Sequence, residues 1–149
     1  RKHSYFDWDE EINARVEPFH VDFNLPFSPV IRQQLIEAAK QAGCPVVEQA
    51  TVAVTQGPRL ESIAEVSRLA NDGNDLVGMT NMPEAALARE LGLEYAGLAV
   101  VVNWAAGRPL VNGQPSNGDI HAEIEKWISQ GMEKVNKILT QWLKSAESN

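Results

Sequence analysis

The sequence predicts an α/β fold, in which short apolar strands alternate with amphipathic helices. Segments rich in β-branched residues are separated by segments whose apolar residues recur at helical spacing. Hydrophobic residues make up 44% of the chain, which is typical of globular rather than disordered proteins. The length of 149 residues predicts that 1–149 belong to a single domain with a sizeable core.

The first half of the chain predicts two helices around a strand. Ser28 and Pro29 form an N-cap followed by proline at the first helical position, and the helix that they open is expected to end at Gly43. Val46–Thr55 is rich in β-branched residues and is predicted to be a strand. Ser62–Asn71 is predicted to be the next helix.

The second half continues the alternation. Leu76–Met79 is predicted to be a short buried strand, and Pro83 opens a helix that Gly92 ends. The nearly continuous apolar run Tyr95–Asn103 predicts a central strand that is covered on both faces. Residues 107–118, rich in glycine and proline, are predicted to form a loop.

The last predicted element is a long amphipathic helix, Asp119–Ser145. Its apolar residues recur at helical spacing, and those expected to face the core are Ile124, Ile128, Val135, Ile138 and Trp142.

Composition excludes several classes of function. The net charge is −7 and no basic cluster is visible, so no nucleic-acid partner is expected. No apolar run of membrane-spanning length and no signal peptide is recognised, so no membrane partner is expected and the expected location is the cytoplasm. Cys44 is the only cysteine and is expected to be a structural thiol. The histidines lack metal-ligand spacing, so no metal is expected; they are His3, His20 and His121.

Polar side chains follow three of the apolar segments. Glu61, Thr80 and Asn103 each come after a predicted strand. Because ligands of open α/β sheets collect beyond the carboxyl ends of strands, these residues are candidates for one pocket. Turn residues with only local hydrogen bonds would give the same spacing, so spacing alone leaves both interpretations open.

Three segments carry a family resemblance. They read GPRLE at 57–61, GMTNMPE at 78–84 and VVVN at 100–103. In this order they resemble the trimeric purine nucleoside phosphorylases, and most of all the branch that cleaves 5'-methylthio nucleosides. The resemblance extends from about Arg1 to Leu143 and implies a mixed central β-sheet flanked by helices. It also implies that this chain is the C-terminal part of the family's domain. The family's glycine-rich phosphate turn and Arg-His phosphate clamp have no counterpart here. The chain alone is therefore expected to be inactive or nearly so.

The resemblance implies a role for individual residues. Asn103 is implied to be the catalytic residue that contacts the base at N7 and O6, and Glu61 to accept the N1–H of the base. Thr80 matches the hydroxyl residue that binds phosphate, and Met79 the residue under the ribose. Leu60 stands where many members place a phenylalanine against the base. Arg59, in contrast, is interpreted as a structural arginine outside the site.

Two departures from the family pattern bear on the substrate. Members that cleave 5'-methylthioadenosine generally carry aspartate at the position of Asn103 and a small hydroxyl residue at that of Glu61. A 6-oxopurine nucleoside is therefore favoured, with 5'-methylthioinosine slightly ahead of inosine and guanosine. His121 matches the position that contacts the 5' group, where members acting on a 5'-hydroxyl carry histidine.

The implied partners are a purine nucleoside, inorganic phosphate as co-substrate and no other cofactor, within a homotrimer. Tyr5–Phe19 matches the family segment that reaches the neighbouring subunit's active site. Two alternatives remain open. One is phosphorolysis of 5'-methylthioadenosine, and the other is a chain that oligomerises or binds a ligand without catalysis.

Overall fold

The computed structural model describes residues 21–108, 110–111, 114–115 and 120–147. These residues fall into two units, one made of the residues up to Arg32 with Thr80–Gly97, the other of Gln33–Met79 with the residues from Leu98 onwards. The segment Tyr5–Phe19, with His3 and His20, lies outside the described residues. That 1–149 form a single domain stays a prediction.

Helices and short strands alternate through the described residues. In chain order they are α1 (Pro29–Gln41), β1 (Val52–Val54), α2 (Ile63–Asn71), β2 (Leu76–Gly78), α3 (Glu84–Glu90), β3 (Leu110–Val111), β4 (Gln114–Pro115) and α4 (Ile120–Glu147). Strands β1 and β2 pair in parallel, with Val52 opposite Leu76 and Val54 opposite Gly78. Two parallel strands joined through a helix form a βαβ unit, which confirms the α/β prediction.

The first unit contains the start of α1. The Ser28 hydroxyl accepts a hydrogen bond from the backbone N–H of Ile31 at 3.2 Å, and the backbone N–H of Ser28 donates to the carbonyl oxygen of Tyr95 at 2.6 Å. The ring of Phe27 stacks on Tyr95 with 5.9 Å between centroids. The predicted helix start at Ser28 and Pro29 is confirmed, because the side chain of Ser28 satisfies a backbone donor that the first turn leaves without a partner.

The core of the second unit joins α1 to the last part of α4. Ala38, Ala39, Cys44 and Ile138 are buried together, and the indole N–H of Trp142 donates to the Gln34 side-chain oxygen at 3.0 Å. Cys44 is 6% exposed, which agrees with a structural thiol.

One predicted core residue of α4 is exposed. Ile128 is 47% exposed, whereas Ile138 is 2% exposed. Ten residues of α-helix span about 15 Å, so Ile128 lies far along the axis from the contact that Ile138 makes with α1. The prediction that Ile128 faces the core is therefore wrong for the described residues.

The strand predictions overestimated strand length. Of the predicted strand Val46–Thr55, only Val52–Val54 forms a strand. No part of Tyr95–Asn103 is in a strand, and Val101 is 63% exposed. An apolar run becomes a strand only when a neighbouring strand pairs with its backbone, and within the described residues no strand pairs with this run. Conversely, the predicted loop 107–118 contains the antiparallel pair β3 and β4.

None of the described helices has the combination of length and apolarity that a membrane crossing requires.

Candidate active site

The loop that carries Glu61 packs against Met79 within the second unit. This loop, residues 55–62 between β1 and α2, contains Gly57, whose φ of +63° favours glycine. A Cβ built on Gly57 would lie only 2.7 Å from the sulfur of Met79, so the backbone approaches that side chain closely. Met79 follows β2 directly, which places the loop beside the end of the parallel pair.

The turn after Asn103 packs against the helix that follows the same loop. Gly107 has a φ of +76°, and a Cβ built on it would lie 2.8 Å from the side chain of Ile63. Ile63 is the first residue of α2 and follows Glu61 by two positions. Together with the Met79 contact, this brings the segments that carry Glu61, Met79 and Asn103 together within one unit.

The Glu61 carboxylate is half-buried and held by a neighbour. Its Oε1 accepts a hydrogen bond from the Thr55 hydroxyl at 2.6 Å. Thr55 comes directly after β1, and its backbone N–H donates to the Gly78 carbonyl at 2.9 Å. The carboxylate is therefore tied to the end of the parallel pair. Nothing in the sequence pattern singled out Thr55, because the contact joins residues six positions apart across a loop.

A concavity of about 330 Å³ opens beside this pair. Its walls are the end of β1, the loop and the first turns of α2, namely Val54, Thr55, Gln56, Gly57, Arg59, Glu61, Glu65, Arg68 and Leu69. Leu60, Met79 and Asn103 are not among these lining residues. Because these three residues do not line it, the concavity accounts for the surroundings of Glu61 rather than for the whole predicted nucleoside site.

The other residues of the predicted site differ in their surroundings. Leu60 is 55% exposed, while Met79 and Asn103 are half-buried. The Asn103 side-chain NH₂ donates to the Trp104 carbonyl at 2.8 Å, which fixes the carboxamide, and the NH₂ group has a second hydrogen to donate.

The roles predicted for all of these residues stay predictions, as do those of Thr80 and His121. Thr80 is exposed and belongs to the first unit, although it follows Met79 directly in the chain. His121 lies in the first turn of α4, and its side chain is outside the described residues.

Arg59 braces the loop through Glu65. Its two terminal nitrogens donate to the two carboxylate oxygens of Glu65, each at 2.8 Å, and one of them also donates to the Leu60 carbonyl at 3.1 Å. Such a bidentate pair fixes the orientation of the guanidinium relative to the carboxylate as well as the distance between them. The arrangement agrees with the interpretation of Arg59 as a structural residue.

Glu65 also caps α2. Its carboxylate accepts from the Ser62 backbone N–H at 2.8 Å, and the Ser62 hydroxyl accepts from the Glu65 backbone N–H at 3.3 Å. This is a capping box. The spacing of serine and glutamate at 62 and 65 is a sequence signal that could have identified it, and sequence reasoning missed it.

These contacts lower the pKa of Glu65 far below its ordinary range. The hydrogen bond from Arg59 is the largest cause, followed by the hydrogen bonds from the Ser62 backbone and hydroxyl. The same pair raises the pKa of Arg59. Because both side chains are exposed to solvent, at 70% for Arg59 and 39% for Glu65, screening by solvent keeps the pair's effect on stability small.

We expect Glu65 to make a small contribution to the acid unfolding of the intact protein. A carboxylate whose folded-state pKa is lowered stabilises the fold above its ordinary pKa, which is 4.5 for Glu65, and this stabilisation is lost as the pH falls toward the folded-state value. Glu65→Gln should lower the free energy of unfolding at neutral pH and flatten its decline in acid. Urea unfolding at a series of pH values measures both changes. Molar salt should reduce the difference in the free energy of unfolding between wild type and variant. If the free energy of unfolding declined equally steeply in acid for wild type and variant, a lowered pKa of Glu65 would be contradicted.

Helix α4 packs closely against the segment that precedes Asn103. A Cβ on Gly131 would overlap the Val100 side chain, and Val100 precedes Asn103 by three residues. Glycine in a helix is otherwise unfavourable by about 1 kcal/mol. Close approach of α4 to this segment is therefore the reason to place glycine at 131.

We expect Gly131→Ala to destabilise the intact protein. Overpacking costs about 1–3 kcal/mol and exceeds the gain in helix propensity of about 1 kcal/mol. Urea unfolding gives the free energy change. In the double variant Val100→Ala, Gly131→Ala the clash is relieved, so the two changes should be clearly less than additive. Strict additivity would show that the side chains do not meet.

Comparison with known proteins places the chain in a family. The family model described as the phosphorylase superfamily matches residues 1–144. The chain belongs to the phosphorylase superfamily. This confirms the resemblance carried by the segments at 57–61, 78–84 and 100–103.

Two curated members of the phosphorylase superfamily and one solved structure show how close the similarity is. A probable S-methyl-5'-thioinosine phosphorylase of Pseudomonas syringae pv. tomato is 47% identical over 98% of this chain and 55% of its own length. The 6-oxopurine nucleoside phosphorylase of Pyrococcus furiosus is 38% identical over 93% of this chain and 50% of its own length. Methylthioadenosine phosphorylase from Schistosoma mansoni in complex with adenine shares the fold, with a TM-score of 0.75 at 24% identity, covering 87% of this chain and 49% of that one.

The chain spans about half the length of these curated phosphorylases. Within the described residues, no group of three His, Cys, Asp or Glu side chains is arranged to hold a metal ion.

Proposed function

We propose that the intact protein cleaves the N-glycosidic bond of 6-oxopurine nucleosides with inorganic phosphate, releasing the free base and a ribose 1-phosphate derivative. The observation that carries the proposal is the Glu61 carboxylate, held by Thr55 at 2.6 Å beside a concavity and on a loop whose helix contacts the Asn103 turn. The names of the two curated relatives, a probable S-methyl-5'-thioinosine phosphorylase and a 6-oxopurine nucleoside phosphorylase, support it.

The chemistry of the base favours this assignment. A 6-oxopurine presents an N1–H donor and acceptors at O6 and N7. A carboxylate accepts the N1–H, and a carboxamide N–H donates to the acceptors. Adenine presents an acceptor at N1 and a donor at the 6-amino group, so it would face Glu61 and Asn103 with the wrong polarity. Mispairing of buried polar groups can change selectivity by about 10⁴–10⁵-fold.

The same residues would assist the departure of the base. Phosphate attacks C1' of the sugar as the bond to N9 breaks, and negative charge moves into the purine ring toward N7 and O6. The second N–H of Asn103 would donate to this charge, and each such preorganised donor contributes about 10²–10³-fold to the rate. Thr80 would contact the phosphate, and Leu60 and Met79 would provide apolar contact to the base and ribose. This reaction needs phosphate as co-substrate and no further cofactor.

The 5' substituent is proposed to be methylthio. The thioinosine phosphorylase relative is more identical to this chain than the 6-oxopurine nucleoside phosphorylase, at 47% against 38%. His121 supports the second candidate, a 5'-hydroxyl as in inosine and guanosine, because imidazole can hydrogen-bond a hydroxyl but gains little from a thioether. We further propose a homotrimer, in which the segment Tyr5–Phe19 completes a neighbouring subunit's site.

Base release by the intact protein tests the proposal. 5'-Methylthioinosine, inosine and 5'-methylthioadenosine are incubated with and without phosphate, and the free bases are quantified. We expect hypoxanthine from methylthioinosine, only when phosphate is present, with less from inosine. Preferred release of adenine would favour the methylthioadenosine alternative, and base binding without turnover would favour a non-catalytic chain.

A further inference from the structure

We propose that Thr55 is a positioning residue for base recognition, acting through Glu61; the inference rests on the proposed phosphorolysis of 6-oxopurine nucleosides. The Thr55 hydroxyl donates to the Glu61 Oε1 at 2.6 Å. Hydrogen bonds from a hydroxyl to a carboxylate at such distances belong to the strong, charge-assisted class. One oxygen of the carboxylate is therefore fixed, and the other has its full capacity to accept from a ligand.

The backbone makes Thr55 a firm point of attachment. Its N–H donates to the Gly78 carbonyl at 2.9 Å, which extends the β1–β2 ladder by one hydrogen bond. Ala53, two residues earlier on β1, is 8% exposed. Glu61, in contrast, sits at the end of a loop whose other brace, Arg59 with Glu65, is exposed to solvent. The hydrogen bond from the Thr55 hydroxyl thus restrains the Glu61 carboxylate against the ordered end of β1. The loop alone would restrain it less.

Fixed orientation matters because glutamate has several rotatable bonds. A freely rotating carboxylate must lose that freedom when it accepts the N1–H, and this loss weakens the contact. A carboxylate that is already oriented loses less, and its contact can contribute fully in the transition state. The role of Thr55 should therefore be confined to substrates that present an N1–H.

The experiment uses Thr55→Val in the intact protein, with Thr55→Ser as the matched control that keeps the hydroxyl. The substrate with an N1–H is inosine or its 5'-methylthio form, and the probe without it is the nucleoside of unsubstituted purine, which has a bare nitrogen at N1. We expect Thr55→Val to lower kcat/KM for the N1–H substrate by about 10–100-fold. The loss for unsubstituted purine should be less than about threefold, and Thr55→Ser should restore most of the activity.

A second comparison separates positioning from folding. In a Glu61→Gln background, Thr55→Val should cause little further loss, because both changes act on one interaction. Thr55→Ala serves the same purpose if the valine variant unfolds, with thermal unfolding as the check. Equal losses for both substrates, failure of serine to rescue, or full additivity with Glu61→Gln would each overturn the inference. Absence of phosphate-dependent cleavage by the wild type would instead refute the proposed function.

Discussion

Glu61→Ala is expected to lower kcat/KM for 5'-methylthioinosine by about 10²–10³-fold while changing the much lower value for 5'-methylthioadenosine little. The alanine removes the acceptor of the base N1–H, which only the 6-oxopurine presents. The ratio of kcat/KM for 5'-methylthioinosine to that for 5'-methylthioadenosine should therefore fall by a similar factor. Because the contact is proposed to form in the transition state, kcat should fall with kcat/KM instead of KM alone rising.

Glu94→Ala provides a matched control for this measurement. Glu94 is an exposed glutamate in the first unit, outside the loop that carries Glu61. Its removal should leave the ratio of the two substrates unchanged. A wild-type protein that prefers methylthioadenosine, or an unchanged ratio in Glu61→Ala, would show that Glu61 does not select the base.

Asn103→Asp is expected to produce the second large effect. The change replaces an NH₂ donor by a carboxylate oxygen, which repels negative charge developing at N7 and O6 and turns the hydrogen bond to the Trp104 carbonyl into a contact of two acceptors. We expect kcat and kcat/KM for methylthioinosine to fall together by about 10²–10³-fold. Selectivity should shift toward methylthioadenosine, whose 6-amino group can donate to the new carboxylate.

Asn74→Asp separates this effect from the general cost of losing an asparagine. The Asn74 side-chain NH₂ also donates to a backbone carbonyl, that of Leu69, at 2.9 Å. Its replacement should lower stability without altering the choice between 6-oxopurine and 6-aminopurine. Should both aspartate variants change selectivity alike, Asn103 would be a structural residue and not a base contact.

Helix boundaries were predictable because their causes are local. Ser28 and Pro29 open α1, and α2 begins at Ile63 after the cap Ser62. A cap and the donors that it satisfies lie within four residues, so the sequence contains both partners of the interaction. The strand prediction for Tyr95–Asn103 failed for the opposite reason, since strand pairing depends on a neighbour that the segment itself does not specify.

The candidate site divides in the same way. The segments at 57–61, 78–84 and 100–103 identified Glu61, Met79 and Asn103 as residues to consider, because residue type and order are properties of the chain. They did not reveal what holds these residues. The salt bridge between Arg59 and Glu65 depends on a loop folding back onto α2, and the only sequence signal near it, the spacing of Ser62 and Glu65, was missed.

The sequence by itself determined the α/β class, the helix starts and the family, since each depends on residue types and their order along the chain. Only the tertiary structure decided that Thr55 holds Glu61 at 2.6 Å, that Gly107 lies against Ile63, and that Gly131 approaches Val100. Gly131 and Val100 are 31 positions apart and Gly107 and Ile63 are 44 apart. Contacts between such residues form only when separate elements pack, and packing depends on the shapes of both surfaces rather than on either segment alone.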